Sequence, residues 1–172
     1  MNKSKALKIF VPIAIAALIA GIFIYKKASE DDKCGGESCK DPLEIESLNI
    51  DDVKGYGKPA MIDFGSETCP PCNAMMPDVK DLHGRFEGKA IIKSLDVSKY
   101  MDEVEGFPVY VTPTLFFFDK EGKPFEPSEE LANDISFKMY KNQEGGEHVL
   151  TAHEGRLTKG QMLRILKEMG VE

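Results

Sequence analysis

Two cysteine pairs are the residues whose type and spacing could do chemistry: Cys69 and Cys72 in CPPC, and Cys34 and Cys39 in CGGESC. A thiolate attacks a disulfide sulfur, and a thiol does not. Cys69-Pro70-Pro71-Cys72 falls where an apolar strand pattern ends and a helical one begins. Cys69 is therefore expected at a helix N-terminus with Pro70 and Pro71 in the first turn, where a missing N–H costs least. The unpaired N–H groups and the positive end of the helix dipole favour the thiolate there, moving the Cys69 pKa down from about 8.5. Cys72, one turn further in, is then the thiol that attacks a mixed disulfide and releases the product. The two spacer prolines stiffen that ring without fixing its redox potential.

The four cysteines admit other chemistry. Cys34 and Cys39 sit close enough across a Gly-Gly loop to close a disulfide, either as a second redox pair relaying electrons to Cys69 or as a passive local bridge. The passive bridge is favoured, because no helix terminus is evident there to activate a thiol. A zinc site built from both pairs is disfavoured, since one pair lies in a polar tether and prolines fill the spacer of the other. A reading from a different class is a non-catalytic module that binds copper(I) through CPPC. His83, His148 and His153 have no ligand spacing to either pair and read as surface or strand positions, so no metal is expected. The net charge of -7 over 172 residues gives no basic field for nucleic acid.

The elements that must position these cysteines follow from periodicity. Ala60 to Phe64 (AMIDF) and Ala90 to Val97 (AIIKSLDV) read as short buried strands, separated by a helical pattern from Cys72 to Phe86, which implies a parallel pairing. Leu43 to Val53 has loosely helical apolar spacing ended by Gly55-Tyr56-Gly57-Lys58-Pro59, so a first helix is expected there. Thr114 to Phe118 (TLFFF) is an aromatic strand ending at the turn Asp119 to Gly122, with His148 to His153 as an antiparallel partner. Thr158 to Met169 closes the chain as an amphipathic helix, with Thr158 as N-cap and Met162, Ile165, Leu166 and Met169 on one face. Between the last two strands lies a polar insertion, Pro124 to Gly146, with a short helix around Ser128 to Ile135. Met75, Met76, Val79, Leu82 and Phe86 fit the buried side of the helix after the cysteines.

Before the folded part, Leu7 to Tyr25 is uncharged after Lys8 and runs to roughly 19 residues, about what a helix needs to cross the hydrocarbon core. An uncleaved anchor is the favoured reading; a cleavable signal peptide is the rival, but Phe23-Ile24-Tyr25-Lys26-Lys27 is a poor cleavage site. Residues 1–6 form a short cytoplasmic N-terminus, and 26–41 a polar tether leading to the domain over 42–172. Lys3 and Lys5 precede the apolar run and Lys8 lies at its start, whereas Lys26 and Lys27 are followed by Glu30, Asp31 and Asp32. That bias favours a single-pass protein with its domain outside the cytoplasm, facing a periplasm or the cell exterior.

The run Ala60-Met61-Ile62-Asp63-Phe64-Gly65-Ser66-Glu67-Thr68-Cys69-Pro70-Pro71-Cys72, with Pro77 inside the following helix and Val111-Thr112-Pro113-Thr114 before an apolar strand, resembles the thioredoxin superfamily over roughly Pro42 to Gly170. The resemblance implies an α/β thioredoxin fold, a mixed central sheet flanked by helices. It implies a thiol-disulfide oxidoreductase that works through the Cys69-Cys72 couple, with no cofactor. It makes Thr112-Pro113 a cis-proline loop that lends backbone hydrogen bonds to a substrate. It also makes Asp63 a buried carboxylate that takes a proton from Cys72, and burial at the end of an apolar strand would raise its pKa towards neutrality. The family often pairs this acid with a strand lysine; Lys93 or Ser94 aligns there, depending on a one-residue register choice. The chain departs from the family pattern in having no Trp, with Thr68 before the first cysteine, and Pro70-Pro71 as spacer. The resemblance further implies protein thiols and disulfides as partners and a membrane thiol electron donor. Its direction is expected to be that of a reductase, with oxidase or isomerase as alternatives.

Overall fold

The computed structural model describes residues 41–100, 102, 107–143 and 145–172. The apolar run over 7–25, the pair Cys34 and Cys39 and the tether up to residue 40 lie outside the described residues. Among the described residues no helix is long and apolar enough to cross a membrane. Asp41–Glu172 forms one compact unit.

The sheet is organised around a strand buried on both faces. In chain order its strands are β1 (Glu44–Ile45), β2 (Ala60–Gly65), β3 (Ile91–Asp96), β4 (Thr114–Phe118), β5 (Lys138–Lys141) and β6 (His148–Glu154). Their spatial order is β1-β3-β2-β4-β6-β5. All six residues of β2 are buried, as a strand covered by helices on both faces requires. Its parallel neighbour β3 is reached through a helix, and its antiparallel neighbour β4 lies on the other side.

Among the described residues the helices are α1 (Ile50–Gly55), α2 (Pro70–Arg85), α3 (Glu129–Asp134) and α4 (Lys159–Glu168). Met75, Val79 and Leu82 of α2 and Ile165 and Leu166 of α4 pack with Met61, Leu115 and Phe117 on one face. On the other face Val53 of α1 joins Ile62, Phe64, Leu95, Phe107, Phe116 and Leu150. Phe64, Phe107 and Phe116 meet tilted or edge to face, with ring centroids 5.0 to 5.4 Å apart. The strand alternation assigns Asp63 to the Met61 face, under α2. Helix α4 starts on a capping box in which Thr158 and Gln161 satisfy each other's backbone N–H, at the expected boundary.

The structure corrects the expected helix over Leu43 to Val53. Glu44 and Ile45 are instead a strand paired with Ser94 and Leu95, and the helix begins only at Ile50, capped by the Asn49 side chain. The apolar spacing spans two elements. The outer edge of β3 carries donors that need partners, and Leu43 O accepts Ser94 N–H at 2.8 Å. The insertion over 124–146 does hold the expected short helix, with Ser128 as N-cap. It also holds β5, a strand the sequence did not announce. Its four residues KMYK carry lysines at both ends, which suits a sheet edge.

Candidate active site

The loop that delivers the cysteines is held by its backbone. From the end of β2, Gly65 O accepts Val97 N–H at 2.9 Å, Glu67 N–H donates to Asp96 Oδ2 at 3.2 Å, and Cys69 N–H donates to Ser66 O at 3.1 Å. Asn73 in the first turn of α2 reaches back to Glu67 O at 2.8 Å. Cys69 is the N-cap of α2, and Pro70 and Pro71 take the first two helical positions, where proline sacrifices no hydrogen bond. Both prolines are exposed.

Cys69 and Cys72 are joined by a disulfide with Cα atoms 5.3 Å apart. Cys69 Sγ also accepts the Cys72 N–H at 3.2 Å. Of the two, Cys72 is the less accessible, at 3% against 9%. Thr112 and Pro113, some forty residues away in sequence, sit against this pair: Thr112 O lies 3.4 Å from Cys69 Sγ. The Thr112-Pro113 bond is cis. Pro113 O accepts the N–H of Gly155 at 2.8 Å, and Gly155, with φ of 105°, can take the turn after β6 that brings its amide there. Immediately before this loop, Tyr110 and Val111 are exposed on the surface.

Asp63 lies beneath the disulfide at 1% exposure. Its Oδ2 accepts the Ser94 hydroxyl at 3.0 Å, and Oδ1 has no hydrogen-bond partner among the described residues. Burial pushes its pKa up from 3.8 to about 6, against the opposing pull of the Ser94 hydrogen bond. The register choice left open by the sequence is decided by Asp63 pairing with Ser94. Lys93 faces away and donates to Asp41 and to Pro42 O. The histidines engage the backbone: His83 with Ile92 O, His148 with Leu150 O and His153 with Ser136 O.

The geometry therefore gathers Cys69, Cys72, Asp63, Thr112 and Pro113 at one end of the sheet. Sequence reasoning left Ser94 undecided and passed over Gly65. A β-carbon on Gly65 would lie 3.5 Å from Asp63 Oδ2 and 3.6 Å from Cys72 Sγ. A glycine ending a strand two residues after an acid was the available signal.

The sequence profile described as Thioredoxin matches residues 47–143, more than half of the chain. The chain belongs to the thioredoxin family. Among its relatives, thioredoxin of Staphylococcus saprophyticus is 37% identical over 99 residues, 54% of this chain and 93% of that protein. The chloroplastic thioredoxin-like protein HCF164 of Oryza sativa is 28% identical over 123 residues, 70% of this chain and 44% of that protein. This chain thus spans under half the length of the rice relative. As a member of the thioredoxin family with a disulfide-forming CxxC pair, the chain is a thiol-disulfide oxidoreductase that acts on protein thiols and disulfides.

Proposed function

We propose that this thioredoxin-family protein is a reductase of protein disulfides outside the cytoplasm, held to a membrane by the apolar run over 7–25. In this reading Cys69 attacks, Cys72 resolves, and Asp63 takes the Cys72 proton. The observation that carries it is the sulfur of Cys69 at the start of α2, receiving the Cys72 N–H at 3.2 Å and facing Thr112 O at 3.4 Å. Once the pair is reduced, that N–H and the helix terminus favour a thiolate at Cys69. A substrate strand crossing Tyr110, Val111 and Thr112 would bring its disulfide onto that sulfur. Pro113 shapes this loop without presenting a donor of its own.

Attack by the Cys69 thiolate breaks the substrate disulfide and forms a mixed disulfide; Cys72 then forms the Cys69-Cys72 bond and releases the second substrate thiolate. The substrate is reduced by two electrons and the CPPC pair is oxidised. Asp63, with a pKa of about 6, is largely ionised at neutral pH and is still a better proton acceptor than an ordinary carboxylate. Outside the cytoplasm thiols are not kept reduced by a soluble pool, so a membrane thiol carrier is the proposed electron donor.

The test is the reduction potential of the Cys69-Cys72 pair in the full-length protein, read by alkylation and mass of the peptide that contains both cysteines. A value near about -270 mV or below supports a reductase, and one near about -120 mV a disulfide donor instead. Absence of a reversible two-electron couple would remove the redox reading altogether.

A further inference from the structure

The two sulfurs of the pair meet different surroundings. Cys69 Sγ lies 3.4 Å from Thr112 O, next to the exposed Tyr110 and Val111. Cys72 is instead among the walls of a groove of about 470 Å³, which neither Cys69 nor Thr112 lines. Small-molecule sites commonly measure roughly 300 to 1,000 Å³. Gly65, also in the wall, leaves this approach to Cys72 open: a β-carbon at position 65 would lie 3.6 Å from Cys72 Sγ, and a longer side chain would take the space beside that sulfur. Two exposed ion pairs line the same groove, Lys80 with Glu44 at 3.7 Å and Lys99 with Glu67. Exposed pairs are weak and exchange partners readily. A ligand that brings a carboxylate and an ammonium can replace a partner in each, whereas a ligand of one sign leaves half of them unmatched.

We propose that this groove binds small disulfides carrying both carboxylate and ammonium groups, and that the reduced protein reduces them by attack from Cys72 rather than Cys69. The proposal goes beyond the reduction of protein disulfides and uses the same dithiol from its other sulfur. The Cys72 thiolate attacks one sulfur of the bound disulfide RSSR, a bond from Cys72 Sγ to that sulfur forms, and the first RS⁻ leaves with the electron pair of the broken bond. The Cys69 thiolate then attacks Cys72 Sγ, the Cys69-Cys72 bond forms, and the second RS⁻ leaves. The two protons lost by the pair end on the two released thiolates. RSSR has gained two electrons and become two RSH, and the dithiol has become the disulfide seen in the structure.

The experiment mixes the reduced full-length variants Cys69→Ser and Cys72→Ser, each separately, with glutathione disulfide. Free thiols are then trapped with iodoacetamide, and the adduct is located by the mass of the peptide that spans residues 69–72. Cys69→Ser is expected to gain glutathione at Cys72 about tenfold faster than Cys72→Ser gains it at Cys69, because access to the attacking sulfur sets the rate. With a folded protein disulfide as the probe the order should reverse. An adduct at Cys69 that forms as fast as the one at Cys72, or faster, overturns the proposal. Adding Gly65→Val to Cys69→Ser should slow the Cys72 adduct about tenfold by obstructing the groove. Gly65→Ala, whose methyl group fits at ordinary contact distance, should slow it less and serves if the valine variant does not fold. A Cys72 adduct rate that ignores both changes would show that the disulfide does not enter beside Gly65, and would overturn the site. Lys80→Gln should cut the preference for glutathione disulfide over uncharged hydroxyethyl disulfide about fivefold, the size expected of an exposed charge contact. A preference that is absent in the parent would overturn the charged class of ligand.

Discussion

Lys93 and Ser94 are neighbours on β3 and serve opposite faces of one sheet, and the buried charged groups on those faces are treated differently. On one face the Lys93 ammonium, at 5% exposure, is matched by the Asp41 carboxylate and the Pro42 carbonyl. On the other face the Asp63 carboxyl, at 1% exposure, receives one hydroxyl and keeps one oxygen without a partner. A buried charge that is paired is tolerated, whereas one that is underpaired shifts its titration and costs stability. Lys93 ties the start of the domain to the sheet. Asp63 lies under the disulfide, where a group ready to exchange a proton has a use.

The largest effect should come from breaking the reactive side at its sulfur. Cys69→Ser removes the attacking thiolate and should drop disulfide reduction at least a thousandfold, to the uncatalysed background, in a turbidity assay of a reducible protein. Cys72→Ser should instead leave the attack intact and accumulate mixed disulfides, visible as a mass increase on the protein. A Cys69→Ser variant with residual turnover above background would mean that the chemistry is not at CPPC.

Next in size is the cost of the underpaired carboxyl. Its pKa is raised in the folded state, so between pH 3.8 and about 6 the native protein binds more protons than the unfolded chain. Stability from this group is therefore greatest below pH 3.8, falls as pH rises through that window, and stays low above it. Asp63→Asn should remove that slope and stabilise the oxidised protein at pH 7 by roughly 2 to 3 kcal/mol, measured by urea unfolding across pH. Equal stability of the two proteins at pH 7 would show that the carboxyl is better solvated than its burial implies.

Lys93→Met should do the reverse on the other face. It strands a carboxylate and a carbonyl, but Asp41 is 45% exposed at its side chain and can rehydrate. The loss should be about 1 to 2 kcal/mol, with disulfide exchange rates within about twofold of the parent. A tenfold fall in exchange rate with an intact fold would place Lys93 on the reactive side and erase the contrast.

This contrast was half legible in the chain. AMIDF, the CPPC turn and TLFFF mark two central strands and the helix start because their apolar runs and prolines act locally, and the boundaries of β4 and α4 emerge nearly to the residue. What could not be read was decided by partners far along the sequence. Glu44 and Ile45 are extended because β3 offers them an edge, overriding the helical spacing of their neighbours. KMYK has no strand signal of its own and pairs because β6 lies beside it. Lys93 against Ser94 was a one-residue register question, which only pairing with β2 answers. Gly65 ends its strand two residues after an acid, but that spacing does not say which side chains a β-carbon there would meet.

The smallest expected effect is the interaction between the two faces. Asp63 and Lys93 are close along neighbouring strands, and residues so close usually couple by 0.5 to 3 kcal/mol when they share partners. These two share none: Asp63 is bonded to Ser94, and Lys93 to Asp41 and Pro42. Nor does any charged side chain contribute to the shift of Asp63, which burial and the Ser94 bond account for. The sheet between them is filled by apolar side chains on both faces and transmits little if neither group reorients. The double variant Asp63→Asn/Lys93→Met should therefore unfold with the sum of the two single changes, to within about 0.5 kcal/mol at pH 7. A larger coupling, favouring the parent pair, would mean that the lysine stabilises the carboxylate through the sheet. In that case the pKa of Asp63 should rise further in Lys93→Met, and carbon-13 titration of the carboxyl would detect it.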